Sequence, residues 1–153
     1  MDTTLSRLRA WPLWQKAKRF VVSAVHEDSA TGARAEEFCQ ALARCLSRDC
    51  VITKEMWLLT ELRTSQLRSI AAGEAVSADL VIISVHHAEI LPNEVKSWIN
   101  LWIKQKRSRP SVLLALFDPL YLGTSSSIQA YLREVAKKGN MEFLARSEEK
   151  PED

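Results

Sequence analysis

Glycine is scarce in this chain, with 4 residues in 153, and proline is nearly as rare at 5. The signatures that depend on glycine-rich backbone are missing: no Walker loop, no G-x-G-x-x-G and no G-x-S-x-G occurs, and H-E-x-x-H is absent as well. Cysteine is sparse and odd in number, at Cys39, Cys45 and Cys50. The spacing fits neither C-x-x-C nor a zinc site, so a disulfide framework is not expected. Cys39 and Cys45 fall about 240° apart around a helix, on different faces, and read as small apolar packing residues. No apolar run approaches the ~18 residues of a membrane span, and the opening MDTTLSRLRAWPLWQKAKRF has no continuous apolar core of a leader. The expected compartment is the cytoplasm, with no membrane association. Charge is close to balanced at a formal +2, which makes no case for nucleic acid.

The hydrophobic and charged content, 46% and 26%, is that of a globular domain. Five short apolar runs alternate with four amphipathic segments. Strands are expected over 20–26, 50–57, 80–85, 111–117 and 141–145, and helices over 31–47, 64–77, 93–103 and 125–138. The third strand, Leu80-Val81-Ile82-Ile83-Ser84-Val85, is continuously apolar, as in a strand covered on both faces. The third helix carries Val95, Trp98, Ile99, Trp102 and Ile103 on one stripe. Its basic run, Lys104, Lys106, Arg107 and Arg109, suits the negative end of its own dipole. The fourth helix repeats the stripe with Ile128, Tyr131, Leu132 and Val135, and Gly139 stands where a C-terminal cap belongs.

Strand and helix alternating in this way predict an α/β three-layer α/β/α sandwich, with a five-stranded parallel sheet in the flavodoxin-like order 2-1-3-4-5. The domain is expected over 20–146, preceded by an arm, 1–19, and followed by an acidic tail, 147–153. Trp11, Leu13 and Trp14 give the arm an apolar side that either folds back on the domain or meets a partner. A homodimer through the arm or the third helix is one expectation.

Ligands in open α/β sheets bind beyond the carboxyl ends of the strands where strand order reverses. In the expected order that point lies between strands one and three. The converging segments are 26–34, 86–89 and 118–124, which contain all 3 histidines. Metal candidates there are His26, Asp28 and His86, with Asp118 near enough to complete a set. Glu94, in the first turn of the third helix, complements the dipole.

Two stretches carry resemblances. Ser29-Ala30-Thr31-Gly32, before a helix, looks like the S-x-T-G phosphate loop of flavodoxins. ADLVIISVHHAEILPNEVKSWINLW looks like the third strand, loop and helix of NAD(P)H-dependent FMN reductases. The chain also resembles a set of small uncharacterised bacterial proteins. The flavodoxin resemblance implies an FMN phosphate held by Ser29, Thr31, Gly32 and Arg34, with His86, His87 and Tyr121 flanking the flavin. Glu27 and Asp28 depart from it by placing negative charge beside the phosphate. The same pair resembles the acidic pair of response-regulator receivers, but the third strand ends Ser84-Val85-His86-His87, without the phosphorylated aspartate. Glu94 is similar in place to the glutamate of TIR-type NAD hydrolases and nucleoside deoxyribosyltransferases. Two functions stay open: a non-catalytic binding or signalling module with a protein partner, and a protein binding FMN or another phosphorylated small molecule.

Overall fold

The computed structural model describes residues 18–46, 48–86, 91–106, 111–118 and 127–147. Five strands are present: β1 (Arg19–His26), β2 (Val51–Leu58), β3 (Leu80–Ser84), β4 (Val112–Phe117) and β5 (Glu142–Ser147). All neighbours pair in parallel, in the order β2-β1-β3-β4-β5. Helices α1 (Ser29–Ala43), α2 (Ser65–Val76), α3 (Asn93–Trp102) and α4 (Ser127–Lys138) alternate with them. This is the flavodoxin-like sandwich that the alternation predicts. The switch point falls between β1 and β3, where His26 lies beside Ser84 and Ser84 beside Leu116 of β4.

Side chains alternate across the central strands. Phe20, Val22, Ala24, Ile82 and Leu114 turn to one face and bury against Phe38, Cys39 and Leu42 of α1. Val25, Val81, Ile83, Leu113 and Phe117 turn to the other, against α2, α3 and α4. Trp98 and Trp102 are fully buried there, as their stripe predicts. β2 forms one edge and is the most exposed strand, with Val51 62% accessible. Burial pushes the Cys39 thiol up to about 11, which suits an inert packing residue.

Several boundaries differ from the sequence reading. α1 begins at Ser29 rather than 31, and ends at Ala43 rather than 47. The helix α2 runs through Gly73, which is exposed with open space around it. A 3-10 turn, Glu61–Arg63, precedes α2 and is pinned by buried Leu62. At the end of α4 the left-handed residue is Asn140 (φ 54°), not Gly139. Met141 N donates to Ala136 O at 2.8 Å and Asn140 N to Lys137 O at 3.2 Å, the Schellman pattern. Gly139 has a different reason: a Cβ there would lie 2.8 Å from Cδ1 of Ile103.

Lys106 does not complement its own helix. Its ammonium donates to the carbonyls of Ala75, Val76 and Ala78 at 2.9, 3.4 and 2.6 Å, capping α2 from the end of a neighbouring element. Ala75 and Val76 are the last residues of α2, where carbonyls lack i+4 donors within the helix, and Ala78 lies two residues past its end. Lys106→Met keeps the apolar stem and removes the donor. It is expected to lower unfolding stability by roughly 1–2 kcal/mol, read as a lower urea midpoint with an unchanged slope; an unchanged midpoint would show that the cap contributes nothing.

Candidate functional site

The loop after β1 is organised by a capping box. Asp28 has extended backbone and caps α1, its Oδ1 accepting from Thr31 N at 2.9 Å. The Thr31 hydroxyl accepts from the backbone N–H of both Glu27 and Asp28, each at 2.9 Å. Its own Oγ1 lies 3.1 Å from both Asp28 O and Asp28 Oδ1, to which it donates its proton. A hydroxyl has one donor and two acceptor positions, so this one is saturated. Thr31 is also fully buried. Its carbonyl accepts from Ser84 Oγ at 2.8 Å, tying the first turn of α1 to the end of β3.

Gly32 is buried because the His26 ring lies over it, and a Cβ would come within 2.9 Å of two ring atoms. His26 Nδ1 is 3.0 Å from Asp28 O and donates to it. Both residues therefore shape the turn.

His86, just beyond β3, is the centre of the site. Its Nε2 lies 2.6 Å from Asp28 Oδ2, and its Nδ1 2.9 Å from Asp118 Oδ2. Asp118 follows β4 directly and also accepts from Arg34 of α1. Arg34 reaches past it to the carbonyl of Val85 at 3.3 Å. His86 N donates to Glu27 Oε1 at 2.8 Å, and Asp118 N to His86 O at 3.1 Å. Three connections thus meet at His86, which stands at the end of β3 and bonds the turn after β1 and the end of β4.

The electrostatics follow from the bonds. Hydrogen bonds donated to the carboxylates of Asp28 and Asp118 raise His86 above the usual histidine range, against a smaller opposing effect of burial. The Thr31 backbone bond, helped by His86, lowers Asp28 to about 2. Burial pushes Asp118 up, but bonds from His86 and Arg34 together outweigh it and leave the carboxyl below its ordinary value. Three acidic side chains, Glu27, Asp28 and Asp118, thus gather around the basic side chains of Arg34 and His86.

The structure brings together Asp28, Thr31, Arg34 and His86 from the residues the sequence singled out. Ser29 opens α1 on the exposed side of the same turn. His87 and Tyr121 lie outside the described residues. Of the metal candidates, His86 has both ring nitrogens against carboxylates and His26 has Nδ1 on a carbonyl. Among the described residues no group of three or more His, Cys, Asp or Glu side chains is disposed to hold a metal ion. Glu94 faces Arg63, with Oε2 and Nε 3.9 Å apart. The sequence names Asp118 only as a completing member of a metal set and Glu27 only as negative charge in the loop; the structure adds that Asp118 meets the His86 ring and that Glu27 accepts from His86 N. The available signal was position: Asp118 stands one residue past its strand, level with His86 two residues past its own.

Comparison with protein-family models, curated proteins and solved structures finds no match. The sheet order establishes a flavodoxin-like fold, and a fold of this kind hosts many functions. Among the described residues no helix is long and apolar enough to cross a membrane.

Proposed function

We propose that this chain is a non-catalytic binding module whose crevice meets a protein partner through a basic segment. The observation that carries the reading is the internal bonding of the crevice. Asp28, His86, Asp118 and Arg34 form one chain of charge-assisted bonds. A base whose two nitrogens both serve carboxylates is poorly placed to abstract a proton. The excess of carboxylate favours a cationic group, and Asp28 and Asp118 keep 49% and 38% of their side-chain surface accessible. A phosphate at the start of α1 would meet the Asp28 carboxylate, which already caps the helix.

Purified protein mixed with FMN and then desalted is expected to show no absorbance band near 450 nm. Oligolysine is expected to shift the amide signals of Asp28 and Asp118 in a nitrogen–proton spectrum, and inorganic phosphate to leave them in place. A retained flavin band, or a response to phosphate and none to oligolysine, would replace this reading with that of a phosphorylated-ligand site.

A further inference from the structure

The His86 bridge makes a chemical demand that does not depend on what the crevice binds. A neutral imidazole carries one N–H and one lone pair, whereas an imidazolium carries two N–H groups. Both nitrogens of His86 face carboxylate oxygens at hydrogen-bonding distance, 2.6 Å on the Asp28 side and 2.9 Å on the Asp118 side. Only the charged ring donates to both. We propose that His86 is a proton-operated latch across the crevice: protonated, it ties the start of α1 at Asp28 to the end of β4 at Asp118, and after giving its proton to solvent it can hold only one of them.

The charged and titratable groups facing the ring come from each element around it. The turn after β1 contributes Glu27, on His86 N, and Asp28. β1 itself ends in His26, whose Nδ1 donates to Asp28 O. From α1 comes Arg34, through Asp118, and from the end of β4 Asp118 itself. Among these described groups, loss of the proton leaves three carboxylates against Arg34 alone. Repulsion then acts across the crevice just where one hydrogen bond has turned into an oxygen facing a nitrogen lone pair. Arg34 still binds Asp118, so the opening is local to the two turns and the sheet stays intact.

The sign of the linkage fixes the pH window. His86 is raised on folding, so the stability of its bridge is fully present below the ordinary histidine range and fades as pH rises through the raised value. Asp28 is lowered, so its share is present above the ordinary carboxylate range and fades as pH falls through about 2. The latch is closed between these limits and opens on the alkaline side.

The test is an NMR titration of the full chain, following the ring protons of the 3 histidines and the backbone amides. His86→Gln assigns the ring signal. The wild-type His86 ring is expected to titrate above a free histidine, with the amides of Asp28 to Thr31 and of Asp118 shifting at the same midpoint. Asp28→Asn and Asp118→Asn are each expected to move that midpoint down. The wild-type titration decides the matter even where a variant fails to fold. A His86 ring that titrates as a free histidine does, or one that titrates while those amides stay still, would overturn the proposal.

Discussion

Trp98→Ala is expected to cost about 3–5 kcal/mol of unfolding stability, a large share of the roughly 5–15 kcal/mol that holds a domain together. Trp98 is fully buried and meets Trp102 edge to face, with ring centroids 5.5 Å apart at 64°. The two rings fill the layer between α3 and the sheet, where alanine would leave a cavity the rigid strands cannot close. Neither indole Nε1 has a hydrogen-bond partner among the described residues. The rings therefore contribute by shape and apolar area, each carrying a buried donor at some cost. Trp98→Phe removes that donor along with part of the volume, and its cost should stay within about 1.5 kcal/mol. Urea unfolding of the two variants checks both statements. Similar losses in each would mean that the indole nitrogen matters more than the ring.

Thr31→Val should cost about 2 kcal/mol, although the two side chains have nearly the same shape. Valine cannot accept the N–H groups of Glu27 and Asp28 that Thr31 accepts at 2.9 Å. Thr31→Ser keeps the hydroxyl and should stay within about 1 kcal/mol of the parent. The measurement separates a structural hydroxyl from a ligand-binding one. Thr31→Val leaving the stability of the ligand-free protein unchanged would show that the hydroxyl serves something other than the turn.

The sheet order was legible because few arrangements satisfy parallel strands joined by helices. The core was legible too, since the stripe of Val95, Trp98, Ile99 and Trp102 has one helical face to offer. Local chemistry was harder. Asp28-x-x-Thr31 is a capping box with threonine in the place usually held by glutamate or glutamine, so the same residues read as a phosphate loop. The turn at Glu61–Arg63 left no periodic trace, being set by the burial of Leu62. For the site, sequence reasoning gathered the histidines at one end of the sheet. It could not say which carboxylates His86 would meet: Asp28 lies 58 residues before it and Asp118 32 residues after. Pairings at that separation depend on register between strands, which side-chain pattern alone leaves open.

The exposed strand at the margin of the sheet bears on how copies of this protein meet. Two such margins joined antiparallel about a two-fold axis normal to the sheet must align residues pointing to the same side. Centring the overlap on β2 then sets Lys54 against Lys54 or Glu55 against Glu55. Like charges directly opposite oppose pairing, and in its own chain Lys54 already turns to Glu36 at 2.7 Å. The middle of this margin is thus self-repelling in both central registers, which protects an accessible strand from zippering into a continuous sheet with its twin.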